Sequence, residues 1–188
     1  MHLHINGEHR LDQASWLPSA HCDLRPNGLQ PELVVVHCVS LPEGEYGTGA
    51  AQRLFTGELD CAEHPSFADL EGLRVAPHVL IDRQGQMEQF VSFDKRAWHA
   101  GVSDWRGRSG CNDFSIGVEL EGSVVDDYTA TQYRTLIQLV IALMGAYPRI
   151  SADAVVGHCE IAPGRKADPG PMFDWPRVLG QVHQHLGA

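Results

Sequence analysis

The seven residues Leu33-Val34-Val35-Val36-His37-Cys38-Val39, entered from Pro31, narrow most what this chain can fold into. A run so rich in β-branched side chains, with no polar alternation, predicts a strand covered on both faces at the centre of a sheet. A histidine inside such a run needs a partner for its ring nitrogens. Zinc meets that need, and so does a buried carbonyl, the ordinary arrangement of a core histidine.

Other segments supply neighbours for that strand. Ser115–Glu121 and Val155–His158 each read as a strand, and Val79–Asp82 with Met87–Phe93 flank Arg83-Gln84-Gly85 as a hairpin with a glycine-containing turn. Ala50–Phe55 predicts a short helix after a loop marked by Pro42, Gly44, Gly47 and Gly49. A longer helix is expected after Thr129, because Gln132 stands three residues on in a capping-box spacing. Leu136, Ile137, Val140, Ile141 and Met144 recur at helical spacing and are expected to face the sheet, with Pro148 just past the end. A last helix is expected from about Trp175 to His185, with Pro176 in its first turn. This mixture is an α/β class with a mixed central β-sheet flanked by helices. The 188 residues suit a single domain, 1–188, in which residues 1–30, with Pro18, Pro26 and Gly28, form an irregular N-terminal arm. His2, His4 and His9 could bind stray metal, but are expected to lie in a disordered N-terminus.

Composition excludes some functions. A formal net charge of −10 argues against a nucleic-acid partner. The longest apolar stretch, Leu136–Ala146, is interrupted by Gln138 and is too short to span a bilayer, so no membrane insertion is expected. The polar opening residues lack a secretory pattern. Five cysteines without a C-x-x-C pair fit reduced thiols and a cytoplasmic location, most of them as small buried hydrophobes. A monomer is expected. The cations of Asp94-Lys95-Arg96 and Trp105-Arg106-Gly107-Arg108 belong either to a solvated loop surface or to a ligand-facing one.

Three sets of residues bear chemistry. His158 ends a short strand and is followed by a Pro- and Gly-containing loop that carries Lys166 and Asp168. Together with His37, His158 and Asp168 would make three protein ligands, the number that leaves a catalytic zinc one open position. Asp168 before Pro169 reads equally as a turn residue. Glu119 and Glu121 point to one face of their strand, as a general base for an attacking water or as a solvent-facing edge. Trp98-His99-Ala100-Gly101 is an aromatic and polar cluster suited to a sugar ring or to packing.

Taken together, the segments resemble a family. Val35-Val36-His37, Ser40-Leu41-Pro42, Phe55-Thr56-Gly57, Phe93–Ser103, Cys111–Gly122 and Gly157–Gly170 are similar, in order and spacing, to the AmpD-type 1,6-anhydro-N-acetylmuramyl-L-alanine amidases. That group is related to phage T7 lysozyme and the peptidoglycan-recognition proteins. The resemblance implies an N-acetylmuramoyl-L-alanine amidase / T7 lysozyme-like fold and zinc bound by His37, His158 and Asp168. It implies Glu119 as general base and Lys166 as oxyanion stabiliser. It further implies hydrolysis of the muramyl–alanine amide in cell-wall recycling, with an anhydro-muropeptide as substrate. Arg74, Trp98, His99, Asn112 and Arg106 are the expected substrate contacts, with Lys95, Arg96 and Arg108 as further partners for stem-peptide carboxylates. The alternatives are a muropeptide-binding module without catalysis and a periplasmic amidase acting on intact peptidoglycan. The chain departs from the family pattern at Cys38, where Asn is usual, at Ser66, where Tyr is usual, and at Gly164, where Glu is frequent. The hydroxyl partner lost at position 66 is expected to be either missing or replaced by Ser66 or Tyr46.

Overall fold

The computed structural model describes residues 3–187, so His2 lies outside the described residues. In chain order the strands are β1 (Ser15–Trp16), β2 (Cys22–Leu24), β3 (Leu33–Val39), β4 (Val79–Ile81), β5 (Met87–Gln89), β6 (Lys95–Ala97), β7 (Asp104–Trp105), β8 (Arg108–Ser109), β9 (Ser115–Glu121) and β10 (Val155–Gly157). The α-helices are α1 (Ala50–Thr56), α2 (Ala130–Ala146), α3 (His158–Ile161) and α4 (Trp175–Leu186). Six strands form one mixed sheet in the order β1-β5-β4-β9-β3-β10, in which only the β4–β5 hairpin is antiparallel.

The central strand explains the apolar run. Val34 and Val36 enter one cluster with α2 and α4, whereas Leu33 and Val35 enter another on the opposite face with Phe114 and Ile161. Both faces are covered, so alternation vanishes from the sequence. Each such side chain contributes about 1.5–3 kcal/mol by leaving water. The same alternation turns His37 to the face of Val35 and Cys38 to the face of Val36, against the α2 side of the core.

α2 begins with the expected capping box, Thr129 accepting from the Gln132 amide and Gln132 returning the bond. Gln132 is itself buried, and its amide nitrogen donates to Glu121 O at 2.8 Å, tying the helix start to the end of β9. The buried stripe of α2 is Tyr133, Leu136, Ile137, Leu139, Val140 and Leu143. Ile141 and Met144 lie at its margin, only partly covered, because a 3.6-residue period drifts around the helix.

The N-terminal arm is more regular than its prolines suggest. β1 pairs with β5 at one edge of the main sheet, β2 pairs with β6 in a two-stranded sheet, and Ile5 bridges Leu11. His4 bonds Asp12 and His9 bonds the Tyr147 hydroxyl, so neither belongs to a disordered segment. The arm also sends Arg25 into the interior, 6% exposed, where its guanidinium donates to the carbonyls of Phe93, Asp113 and Ser115.

β9, β3 and β10 are adjacent and parallel, so their carboxyl ends lie at one edge of the sheet. Open sheets of this kind place ligands beyond that edge.

Candidate active site

His37 and Glu119 are register partners near the ends of β3 and β9, and both lie on the face away from α2. His158 follows β10 directly, one step beyond the Gly157–Val36 pair, which sets it beside His37. The chain then makes the single turn of α3 and a tight turn in which Arg165 and Lys166 bond back to Ala162 O. The Cys159 amide donates to Asp168 O at 3.0 Å, folding the returning loop onto α3 and delivering Asp168 to the two histidines. Close packing of this loop requires Gly170, at φ +90°, because a Cβ there would enter the backbone of Val124.

His37 Nδ1 lies 2.9 Å from His158 Nδ1 and 3.1 Å from Asp168 Oδ2, and His158 Nδ1 lies 3.0 Å from the same oxygen. The histidines are 1% and 3% exposed. Burial lowers the His37 pKa to about 4, so at neutral pH its ring is uncharged. Burial raises the Asp168 carboxyl, but its bonds to His158 and His37 outweigh that and hold it below the usual carboxylate range. His158 Nε2 faces Ala100 O at 3.0 Å. A carbonyl only accepts, so a proton on Nε2 is donated there, and the tautomer that carries it leaves Nδ1, which faces His37 and Asp168, as the ligand atom. Two imidazole nitrogens and a carboxylate oxygen thus converge, these ligand atoms all lying within 4.8 Å of one another. Zinc bonds of about 2.0–2.2 Å to N and O donors require such a gathering, so the donor set fits zinc.

Beside them lies Glu119. Burial raises its pKa well above the ordinary value, Asp168 adds to the rise and Lys166 opposes it. Its Oε2 is buried and has no hydrogen-bond partner among the described residues. Glu121, on the same face, is spent on structure: its oxygens accept from the amides of Gly47 and Arg83. The two carboxylates that look alike in sequence therefore differ, one tethering loops and one lacking a partner.

His37, Glu119, His158, Lys166 and Asp168 all line one groove of about 370 Å³. One wall is apolar, with Leu54, Phe55, Leu73 and Val75. An adjoining hollow of about 380 Å³ shares Cys38, Leu41 and Asp168 and adds Ser40, Glu43, Ser66 and Ser123. A larger hollow of about 600 Å³ between the arm and α2 contains none of these residues.

The remaining expected contacts fall in different places. His99 lines the groove and meets the His37 ring edge-on at 5.0 Å. Trp98 packs against His21, and the Arg74 guanidinium stands 5.3 Å from its ring beside a neighbouring hollow. Asn112 lies behind the groove, its Oδ1 accepting from the amides of His99 and Ala100. Arg106 is at the β7–β8 turn, over Trp105 and towards Asp153 O, away from the groove. Arg96 is paired with Asp23 and Asp113, and Arg108 with Glu32, so acidic neighbours already occupy these two cations. Cys38 lines the groove but stands outside the cluster of ligand atoms, and burial pushes its thiol up to about 12. Tyr46 is likewise engaged, donating to Asp126. Ser66 remains on the wall of the adjoining hollow, bonded to His64. Sequence reasoning passed over Arg165, on the groove rim with bonds to Ala100 O and Val102 O, although it stands next to Lys166 in a singled-out segment.

A family profile described as N-acetylmuramoyl-L-alanine amidase (Amidase_2) matches residues 27–171. The 1,6-anhydro-N-acetylmuramyl-L-alanine amidase AmpD of Salmonella typhimurium is 54% identical over 172 residues, 92% of this chain and 91% of that one. A crystal structure of a Se-Met AmpD derivative superposes with a TM-score of 0.92 at 51% identity, covering 95% of this chain and 99% of the other. The amidase AmiD from Escherichia coli, in complex with anhydro-N-acetylmuramic acid-L-Ala-D-γ-Glu-L-Lys, matches at TM-score 0.60 and 28% identity over 85% of this chain and 60% of its own. The mixed sheet with its flanking helices is the fold of these enzymes. By the extent of these matches and the level of identity, the chain belongs to the N-acetylmuramoyl-L-alanine amidase family of hydrolases.

Proposed function

We propose that this protein hydrolyses the amide bond between 1,6-anhydro-N-acetylmuramic acid and L-alanine in muropeptides released during cell-wall recycling. The observation that carries the reading is one cluster. Three metal-ligand atoms lie within 4.8 Å of one another beside a buried carboxylate oxygen without a partner, in a chain similar over nine-tenths of its length to AmpD.

In this reading His37, His158 and Asp168 hold zinc. Zinc bound there supplies a Lewis acid for the amide carbonyl, acidifies a water, and by its charge favours ionised Glu119. Glu119 takes the proton of the attacking water and passes it to the leaving alanine nitrogen. Its buried setting makes it a stronger base than a surface carboxylate. Lys166, exposed on the groove rim, donates to the oxygen that becomes negative as the carbonyl is attacked. The apolar wall at Leu54 and Phe55 and the polar hollow at Ser40 and Ser66 give the two sides of the bond different surroundings.

The unpaired state of all five cysteines supports a reducing compartment, and we assign the reaction to the cytoplasm. The cluster is complete within one chain, so the proposed reaction needs no residue from a second copy, and we take a monomer to suffice. The test is incubation of the purified protein with soluble anhydro-N-acetylmuramyl tripeptide. Release of free tripeptide that stops on chelation and returns with zinc is expected. A zinc-loaded sample that binds the compound but releases nothing would leave a binding module, and equal activity on intact sacculi would remove the recycling assignment.

A further inference from the structure

We infer that His99 and the peptide of Ala100 are the orienting layer of the metal centre, with Asn112 as the latch that holds them. The inference rests on the metal reading of His37, His158 and Asp168, and concerns what aims the two imidazoles.

Each of these histidines turns Nδ1 inward and therefore presents Nε2 to whatever lies behind it. Behind His158 is Ala100 O, at 3.0 Å. Behind His37 is His99 Nδ1, at 2.9 Å, and the far nitrogen of that ring, Nε2, lies 3.0 Å from Ser115 Oγ. One proton assignment leaves a lone pair on His37 Nδ1: His37 Nε2–H donates to His99 Nδ1, and His99 Nε2–H donates to Ser115 Oγ. The opposite assignment places a proton on His37 Nδ1 and destroys the ligand. A metal-ligating imidazole ordinarily has its other N–H bonded in this way, and that partner sets its tautomer and direction.

Two consecutive residues thus serve both histidines, one through a side chain and one through a carbonyl. Their position is over-determined. Asn112 Oδ1 accepts from the His99 amide at 3.1 Å and the Ala100 amide at 2.8 Å, while Arg165 donates to Ala100 O at 2.7 Å. β9 makes room for the ring with Gly117: a Cβ at that position would stand 2.4 Å from the nearest atom of the His99 imidazole, too close for both to fit. Ser115, the last acceptor of the chain, has its backbone carbonyl held by Arg25 at 2.9 Å. A residue whose main task was to touch a ligand would not need both ring nitrogens and its own amide engaged by the protein.

The test separates acceptor from bulk. His99→Asn keeps an oxygen where Nδ1 stands, and His99→Leu keeps volume without an acceptor. The zinc dissociation constant, measured by competition with a chromophoric chelator, is expected to rise about 10–100-fold in His99→Leu and much less in His99→Asn. Asn112→Leu is expected to weaken zinc as well, and Asn112→Asp, which retains the accepting oxygen, to restore most of it. Nitrogen-15 chemical shifts of His37 in the metal-free protein give a readout independent of zinc: proton on Nε2 in the wild type, mixed tautomers in His99→Leu. Ser115→Ala serves if His99→Leu does not fold, with the same direction and a smaller effect. Unchanged zinc affinity and an unchanged His37 tautomer in a folded His99→Leu or Ser115→Ala protein would overturn the inference. A wild-type protein that takes up no zinc would instead overturn the metal reading, and this inference with it.

Discussion

At the scale of single residues, chemically similar groups have been given different work by burial and by partners. Glu121 accepts two loop amides, whereas Glu119 is buried with an oxygen that has no partner among the described residues. The proposed base therefore makes a sharp prediction. Glu119→Gln, which keeps shape and removes basicity, is expected to lower turnover at least about 10²-fold while zinc content, measured by atomic emission, stays at the wild-type level. Unaltered turnover would remove Glu119 from the chemistry. Lys166 reaches the groove from an exposed turn, so its loss should spare the fold. Lys166→Met is expected to cost about 10²–10³-fold in kcat with little change in melting temperature. At position 38 the strand itself decides: alternation turns the thiol to the α2 side of the core, and burial keeps it protonated.

At the scale of elements, the ends of α2 and β9 are tied together by one polar residue. Gln132 completes the capping box at Thr129 and also donates to Glu121 O. Thr129→Ala is expected to cost about 1 kcal/mol, read as a fall of about 2–4 °C in melting temperature for a chain of this size. Turnover should change little, because the cap lies outside the groove. These elements were legible in the sequence because their signals are local. The strand run at 33–39, the capping spacing at Thr129 and the glycine turn at Gly85 each involve residues within a few positions of one another. The two strands of the arm were not legible, since a two- or three-residue strand exists only through its partner: β1 through β5 and β2 through β6.

At the scale of the whole molecule, acid is expected to undermine the fold from within. His78 is fully buried, its Nδ1 accepting from the Gly117 amide and its Nε2 facing Lys95 O, which satisfies a neutral ring completely. Burial, with the adjacent Arg25 charge, lowers its pKa to about 3. The native state therefore refuses a proton that the unfolded chain accepts below its ordinary value of 6.5. Stability from this group is complete above that value and is lost as pH falls towards 3, at up to about 1.4 kcal/mol per pH unit. His37, lowered to about 4, adds to the same slope in metal-free protein. Urea midpoints of the metal-free protein are expected to fall steadily between pH 7 and pH 5, and His78→Asn, which keeps the acceptor for Gly117, should flatten that slope. A midpoint independent of pH in this range would contradict the assignment.

The sequence alone determined the sheet's central strand, the class of fold, the main helices and, by resemblance, the five residues His37, Glu119, His158, Lys166 and Asp168 that the groove brings together. These depend on local patterning or on motifs whose residue types are themselves the chemistry. Only the tertiary structure decided which of the remaining polar residues work for the site and which for the scaffold. Asn112 moved behind the groove, Arg106, Arg96 and Arg108 found carbonyl or acidic partners away from it, and His99 came to stand behind His37. The physical reason is that a hydrogen-bonding group is defined by its partner. His99 stands 62 positions from His37 in the chain and 2.9 Å from it in space, a proximity set by packing and not by any local pattern.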